Sequence, residues 1–426
     1  MHLPATPILI RRAALAALLS LTLSPPGAAG TTERVSVPAF EDEGDSDSYG
    51  VSISANGRFV AFQSEATNLV PGDTNAVMDV FVRDRRKGTT TRVSVNSAGD
   101  EGNHESTDPS VSQNGRFVAF QSFATNLVPG DLNNDFDVFV HDRKTGATTR
   151  VSDRGLAPSI SASGRFVAFE SDADNLVPDD TNGTRDIFLH DRKTGATTRV
   201  SVDSTGGQAD DASFEACVSG NGRFVAFRSY ASNLVEGDLN GKRDVFVHDR
   251  KRGTTTRVSV DSEGGEGNGS SRLPSLSRNG RMVAFHSDAS NLVEGDLNGF
   301  SDVFVHDRKS GVTSRVSVGS AGGEGNAGSF LGRLSANGRS VAFESQASNL
   351  VEGDVAGFSD VFLHRRKTGV TIRISVDAAG SEADNGSYNP SISGNGRFVA
   401  FESGASDLVS GDKNLVFDAF VRDRKR

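Results

Sequence analysis

Apolar and polar residues alternate in short runs along the chain, and no helical period separates one run from the next. The runs are rich in β-branched and aromatic residues, which favour strands. Asn56-Gly57 and Lys87-Gly88 are tight-turn signals between runs. The first unit therefore predicts four strands, at Ser52 to Ser54, Arg58 to Phe62, Asp79 to Asp84 and Thr90 to Val95.

This four-strand pattern recurs seven times. The glycine of the phrase Asn-Gly-Arg, once Ser-Gly-Arg, marks each copy at an interval of 58 residues, shortened to 49 between the second and third copies. A fixed period of this kind is the signature of a repeat architecture. The marker residues are Gly57, Gly115, Gly164, Gly222, Gly280, Gly338 and Gly396.

Four-stranded repeats without helices specify a seven-bladed β-propeller, an all-β fold in which neighbouring blades bury each other's apolar faces. The seventh copy stops at Arg426, after its third strand. The missing fourth strand has the sequence found at Thr31 to Val37. We therefore expect residues 31–426 to form one propeller, closed by the N-terminal strand joining the C-terminal blade, which removes the exposed sheet edges.

The repeated phrases Ser-x-Asn-Gly-Arg-x-Val-Ala-Phe and Asp-Val-Phe-Val-x-Asp resemble the TolB-like propeller repeat, which is related to WD-type repeats. The resemblance covers residues 31–426, although Asn56 and its equivalents replace the family's usual Asp and the family's Trp is absent. It implies a binding or scaffolding propeller. Some propellers of this type are polysaccharide lyases with a histidine cluster at the central face, which supplies an alternative.

Residues 1–30 read as a signal peptide, because Arg11 and Arg12 precede an apolar run that ends in Pro and small residues. We therefore expect an exported protein, periplasmic or extracellular, with no membrane span. Cys217 is the only cysteine, so no internal disulfide can form. The net charge of −10 argues against binding to nucleic acid.

Alternating strand directions should place the short turns on one face, the tight-turn face, and the long loops and linkers on the other, the long-loop face. The tight-turn face repeats an arginine at Arg58 and its equivalents. These arginines either bind a polyanion or pair with the aspartates at the ends of the third strands, such as Asp84. Function tends to lie on long loops, so we expect the partner on the acidic long-loop face.

The loop before each third strand follows the pattern Asp-x-Asn-x-x-x-Asp, broken only by Ala356 in the sixth copy. Oxygen ligands at such spacing suit a calcium ion. The alternative is that the Asp and Asn residues cap a turn and anchor the third strand. The candidate calcium ligands are Asp73, Asn75, Asp79, Asp131, Asn133, Asp137, Asp180, Asn182, Asp186, Asp238, Asn240, Asp244, Asp296, Asn298, Asp302, Asp412, Asn414 and Asp418.

No catalytic site is expected. Five histidines share one position in the third strand, and Arg83 and Arg422 take that position in two blades, which indicates a solvated residue. His286 has no companion in the sequence. The shortened linker at residues 153–157 breaks the symmetry and predicts a gap beside blades two and three as the first choice for docking. The five equivalent histidines are His141, His190, His248, His306 and His364.

The sequence thus predicts an exported, monomeric propeller that recognises a cell-envelope protein or glycan through its long-loop face. Calcium is the one cofactor to consider. The alternative is an extracellular carbohydrate lyase or hydrolase with a site in the central mouth of the ring.

Overall fold

The computed structural model describes residues 30–38 and 43–424. Within these ranges the chain forms 28 strands, arranged as seven four-stranded antiparallel sheets. The predicted seven-bladed, all-β propeller is therefore confirmed. In the same ranges there is no helix with the length and apolar content needed to cross a bilayer. The predicted signal peptide, except for Gly30, lies outside the described residues.

The strands follow the repeat, and each blade begins with its innermost strand. Blade 1 contains β2 (Ser48–Ile53), β3 (Phe59–Ser64), β4 (Asp79–Asp84) and β5 (Thr89–Arg92). Blade 2 contains β6 (Ser106–Val111), β7 (Phe117–Ser122), β8 (Asp137–Asp142) and β9 (Ala147–Ser152). Blade 3 contains β10 (Leu156–Ile160), β11 (Phe166–Ser171), β12 (Asp186–Asp191) and β13 (Ala196–Arg199). Blade 4 contains β14 (Ser213–Val218), β15 (Phe224–Ser229), β16 (Asp244–Asp249) and β17 (Thr254–Arg257).

Blade 5 contains β18 (Ser271–Leu276), β19 (Met282–Ser287), β20 (Asp302–Asp307) and β21 (Val312–Arg315). Blade 6 contains β22 (Ser329–Leu334), β23 (Ser340–Ser345), β24 (Asp360–Arg365) and β25 (Val370–Arg373). Blade 7 contains β26 (Ser387–Ile392), β27 (Phe398–Ser403), β28 (Asp418–Asp423) and, from the other end of the chain, β1 (Thr31–Arg34).

The N-terminal strand closes the ring as predicted. In the antiparallel register of β1 with β28, Thr31 lies opposite Asp423 and Arg34 opposite Phe420. The pairing continues past the strand, since the amide of Val35 donates a hydrogen bond of 2.7 Å to the carbonyl of Ala419. The two ends of the chain therefore share one sheet.

The core lies between blades. In blade 1, Phe62 stacks on Phe81 with ring centroids 5.8 Å apart, and both side chains are fully buried. Successive residues of β3 pack against opposite neighbouring blades. Phe62 packs in a cluster with blade 7, and Ala61 packs in a cluster with blade 2. Burial of each such Phe contributes about 1.5 to 3 kcal/mol. An isolated blade would lose this burial on both faces.

Two strand boundaries differ from the prediction by three residues or more, and the other ends differ by two residues or fewer. The first strand begins at Ser48 rather than Ser52, because a bulge at Gly50, with φ of 62°, lets the chain continue pairing beyond the predicted start. The fourth strand ends at Arg92 rather than Val95, because the Ser94 hydroxyl turns back to bond Asp79. Both differences arise at the long-loop end of the blade.

Candidate binding site on the long-loop face

Each long loop is fixed by an arginine from the fourth strand. In blade 1, Arg92 Nη1 lies 3.1 Å from carboxylate oxygens of both Asp73 and Asp79 and 2.8 Å from one of Glu101. Glu101 belongs to the linker toward blade 2, so one guanidinium connects loop, strand and linker. The Arg92 side chain is only 9% exposed. We call this arrangement the arginine latch. The equivalent arginines that also contact a linker glutamate are Arg34, Arg257, Arg315 and Arg373, whereas Arg150 and Arg199 contact only the two aspartates of their loop.

The eighteen predicted ligands all lie in these latches, and the three members of each triad come together. In blade 1 the Asn75 amide donates hydrogen bonds of 2.9 Å to Asp79 and to the carbonyl of Gly102. Asn75 Oδ1 accepts the amide of Val77, which closes the turn. Asp79 accepts the Ser94 hydroxyl, whose oxygen accepts the amide of the third strand at Val80. Blade 6, where Ala356 replaces the asparagine, uses Glu382 to accept the amide of Ala356.

The latches also have the donor chemistry of a cation site. Carboxylate oxygens of Asp238, Asp244 and Glu266 lie within 4.8 Å of one another, and those of Asp354, Asp360 and Glu382 do the same. Such oxygens suit a hard cation. Calcium binding stays a prediction, and the ion would compete with a guanidinium for these oxygens, as follows from the 3.3 Å between Arg257 Nη1 and Asp238.

Burial perturbs the carboxylates of the latches. It raises the pKa of Asp238 to about 7, with the neighbouring Asp244 adding to the shift and Arg257 opposing it. The pKa of Asp354 is raised to about 7 for the same reasons. Because these carboxylates are buried against Arg257 and Arg373, the acidic loops are not a field of free negative charge.

The loop tips carry aliphatic side chains that project into solvent. Leu132, Leu239, Leu297 and Val355 occupy one equivalent position and are 86–88% exposed. Blades 1, 3 and 7 have Thr74, Thr181 and Lys413 at that position. Phe300 and Phe358 add half-exposed rings on blades 5 and 6. On three consecutive blades these form what we call the apolar sector, made of Leu239, Leu297, Phe300, Val355 and Phe358.

The backbone of the apolar sector is held by the latches. The amides of Leu239, Leu297 and Val355 each donate to the linker glutamate of their own latch, at 3.1, 3.2 and 3.1 Å. The same glutamates contact the latch arginines. The exposed side chains therefore stand on loops whose backbone is already ordered.

A cleft of about 570 Å³ opens on blade 6, lined by Leu350, Val351, Ile372 and Val376 together with glycines of the two adjoining linkers. Two departures from the repeat make it apolar. Ile372 replaces the Thr or Ser found at this position in the five preceding blades, and Gly319 replaces the Asn or Asp of four other linkers, at Asn96, Asp203, Asp261 and Asp377. The volume of this cleft is typical of a ligand pocket. These two substitutions are the sequence signals by which the cleft could have been found.

The first strands line a central channel with a cavity of about 430 Å³. At its long-loop end, a second-strand side chain accepts the amide of the next blade's bulge. Gln63 accepts the amide of Asp108 at 2.8 Å, and Glu402 accepts that of Gly50 at 2.9 Å. These contacts join neighbouring blades around the channel.

Blades 3 to 5 depart from this scheme, carrying Glu170, Arg228 and His286 at the same position. Arg228 Nε instead lies 2.8 Å from Glu215 of its own blade. Glu170 Oε2 and His286 Nδ1 are buried without a hydrogen-bond partner in the described part of the chain. Burial raises the pKa of Glu170 to about 7 and lowers that of His286 to about 4. His286 was not predicted to be a site residue, although the variation of this second-strand position between blades could have indicated it.

Four of the five repeated histidines are buried and His190 is half-buried, so the prediction of a solvated position was wrong. His141 is 7% exposed, and its Nδ1 lies 2.9 Å from the hydroxyl of Thr148, which donates to the carbonyl of Val95. The linker of the preceding blade covers the ring, which strand periodicity does not reveal. Arg83 makes the equivalent contact with Thr90, which explains why arginine fits the same position. Each of the five histidines bonds a threonine of its own blade.

The arginines of the tight-turn face pair with the third-strand aspartates, which was the structural alternative. Arg58 donates two hydrogen bonds to Asp84, of 2.8 Å from Nε and 2.6 Å from Nη2. The same bidentate pair recurs in five further blades, as Arg116–Asp142, Arg165–Asp191, Arg223–Asp249, Arg281–Asp307 and Arg397–Asp423. In these six blades the repeated arginine is therefore neutralised by an aspartate of its own blade.

The shortened linker between blades 2 and 3 crosses directly from Ser152 to Leu156. It lacks the β-bridge that five of the described linkers make, of which Val95 with Glu101 is one. Instead, the amide of Arg154 bonds Asp137 at 2.9 Å. Docking at this linker stays a prediction.

Comparison with known proteins identifies the architecture only. No family model matches the chain, and no curated protein matches it. TolB from Acinetobacter baumannii is 16% identical, with a TM-score of 0.44 over 77% of this chain, and the chain spans 63% of that protein's length. Oligogalacturonate lyase from Vibrio parahaemolyticus is 10% identical, with a TM-score of 0.54 over 92% of this chain and 96% of that one.

The β-propeller domain of the Trilobed protease from Pyrococcus furiosus is 9% identical, with a TM-score of 0.55 over 89% of this chain and 94% of that one. That domain has an open velcro topology, whereas here β1 pairs with β28. At these identities the likeness concerns the fold and not the activity. The chain is a closed, seven-bladed β-propeller similar to TolB-like propellers.

Proposed function

We propose that this chain is an exported binding module that holds a protein of the cell envelope against the blade 4 to 6 side of its long-loop face. The apolar sector is the observation that carries the proposal. Scattered exposed apolar residues are ordinary, but here five lie on three consecutive blades of one face, and a concentration of this kind marks interfaces. This position replaces docking beside blades 2 and 3 as our preferred site.

The arginine latches support this function through preorganisation. Because the tips are fixed before a partner arrives, binding costs little loop entropy. The blade 6 cleft can take an apolar side chain of the partner. Aliphatic tips such as Leu239 suit an apolar protein surface better than a glycan, since they offer neither a hydrogen bond nor a flat ring.

The acidic residues take a different role from the one first expected. Asp180, Asp238 and Asp296 have side chains only 5%, 4% and 2% exposed and face latch arginines. They shape the loops and leave recognition to the tips. Replacing them with Ala should unfold the loops as well as weaken binding.

The test is a triple variant, L239T/L297T/V355T. Threonine stands at the same position in blades 1 and 3, so the variant should keep the melting temperature of the wild type. We expect it to lose an envelope protein that the wild type captures and that cross-links to blades 4 to 6. The matched control is Leu132→Thr on blade 2, which should retain capture. Equal capture by the triple variant and wild type would contradict the proposal.

A second candidate is the carbohydrate lyase or hydrolase with its site in the central mouth. The observation that favours it is the burial of two titratable side chains, Glu170 and His286, at equivalent positions of their second strands, because titratable groups with perturbed pKa values are candidate acids and bases. A screen of polysaccharides with the wild type and His286→Gln tests it. Turnover that disappears in the variant would support this activity, and an inert wild type would exclude the polysaccharides tested.

A further inference from the structure

The tight-turn face contains a recurring carboxylate position, occupied by a third-strand aspartate in six blades. In blade 2, Asp142 accepts two hydrogen bonds from the Arg116 guanidinium, of 2.8 and 2.6 Å. Asp142 Oδ1 also accepts the turn amide of Lys144 at 3.0 Å. At this position, therefore, one guanidinium fork and one backbone N–H donate to a planar carboxylate.

Blade 6 keeps this position but lacks the carboxylate, because Arg365 replaces the aspartate. The backbone is unchanged. The amide of Arg366 donates to the carbonyl of Arg339 at 3.0 Å, and that of Gly369 to the carbonyl of Arg365 at 2.9 Å. The corresponding bonds of blade 2 are 2.9 and 2.8 Å. The substitution therefore removes the acceptor and leaves the geometry around it.

The cationic groups of blade 6 have no acidic partner. Arg339 and Arg365 are exposed, and no carboxylate in the described ranges lies within 4.0 Å of either side chain, in contrast to Arg116 and its equivalents. The turn amide of Lys367, equivalent to that of Lys144, has no acceptor among the described residues. Blade 6 thus has two arginines and one N–H without an acidic partner at the sequence positions where the other blades hold an anion.

The aromatic partner of these arginines is also absent. In blade 2, the ring of Phe117 lies between Arg116 and Arg192 of the next blade, with centroid distances of 4.7 and 4.6 Å. Blade 6 has Ser340 at the position of this ring. The blade has therefore lost both groups that compensate arginine charge elsewhere, while its own arginine is kept and a second one is added.

We propose that blade 6 binds a carboxylate group from solution at the tight-turn face, held by the guanidinium groups of Arg339 and Arg365 and by the amide of Lys367. Six blades show the shape of the ligand, a planar pair of oxygens that matches the arginine fork. A tetrahedral oxyanion has no such template in this fold. The site lies on the face opposite the apolar sector and is independent of the function proposed for that sector.

The test measures the melting temperature while acetate replaces chloride at constant ionic strength. The wild type should be stabilised progressively, because a ligand that binds only the folded state raises its stability. Arg365→Asp restores the residue type of the other six blades. We expect it to melt higher than the wild type in chloride and to lose the response to acetate.

Two further variants keep the test decisive if Arg365→Asp folds poorly. Arg339→Lys removes the fork but keeps the charge, and should raise the acetate concentration for half of the effect by about tenfold, which is 1.4 kcal/mol. Arg154→Gln, which alters an exposed pair on the other face, should respond as the wild type does. An equal acetate response in wild type and Arg365→Asp, no response in the wild type, or a stronger response to phosphate would each overturn the carboxylate assignment.

Discussion

Arg257 Nη1 lies 3.3 Å from Oδ1 of Asp238, and the two side chains are only 10% and 4% exposed. This ion pair joins the fourth strand of blade 4 to the loop that carries Leu239. Because both side chains are largely removed from water, the carboxylates around Arg257 compensate its charge, and Arg257 compensates theirs. The latch is therefore the contact on which the shape of the long-loop face depends.

Replacing Arg257 with Gln should destabilise the protein by about 3 kcal/mol, because removal of one partner leaves buried carboxylates uncompensated. Urea unfolding measures the loss. The matched control is Arg154→Gln, since Arg154 pairs with Asp135 through side chains that are 52% and 43% exposed. An exposed pair contributes about 0 to 1 kcal/mol, so equal losses in the two variants would refute the role of the latch.

Calcium should distinguish the two roles of the acidic loops. In the wild type the guanidinium already supplies a positive charge to Asp238 and Asp244, so we expect neither calcium nor a chelator to change the melting temperature. In Arg257→Gln the same carboxylates are free to bind the ion, and calcium should restore part of the lost stability. A calcium-dependent rise in the wild type would instead support the calcium site predicted from the sequence.

The architecture could be predicted because the repeat encodes it locally. Every copy places the same residues at the same interval, and the strand sequence missing after Arg426 stands at Thr31 to Val37. The closure of the ring can therefore be predicted from the repeat alone, without knowledge of any contact between distant residues. The bulge at Gly50 was missed because it adds strand length without altering the turn signals.

The candidate site was less accessible to sequence reasoning. The latch brings Arg92 to Asp73 through the fold of the blade, and nothing in the spacing pairs them. An apolar residue such as Leu239, which follows the first Asp of the loop pattern, would be expected in the core. Leu239 is instead 88% exposed, because the loop turns it outward. His141 reads as a surface strand residue, but the preceding linker covers it. These outcomes depend on contacts between neighbouring repeats.

The buried histidines should make the protein sensitive to acid. Burial lowers the pKa of His364 to about 4, against about 6.5 in the unfolded chain. Protons then bind the unfolded state more readily, so stability is fully present above pH 6.5 and is lost as the pH falls toward 4. The loss from this residue reaches about 2 to 3 kcal/mol at pH 4.

His364→Gln should flatten the decline in stability between pH 6.5 and 4, measured by urea unfolding at several pH values. At pH 8 both proteins carry a neutral side chain, so the difference there reports packing alone. Glu170, whose pKa is raised to about 7, acts in the opposite direction in both proteins and cancels in the comparison. Identical pH dependence in the two proteins would show that His364 does not titrate as its burial predicts.

Closure of the ring should be the most sensitive point of the fold. Val35 donates its amide to the carbonyl of Ala419 and is fully buried, so Val35→Pro removes the hydrogen bond and obstructs the pairing of β1 with β28. We expect a loss of about 1 to 3 kcal/mol, because the buried carbonyl of Ala419 loses its donor. Val35→Ala keeps the amide, so it should leave the exchange of β28 amides near the wild-type rate even though it costs some packing. Only the proline variant should show faster hydrogen exchange at Ala419 to Val421 and concentration-dependent association through the freed edge. If its amides were as protected as those of the wild type, the ring would close without this strand.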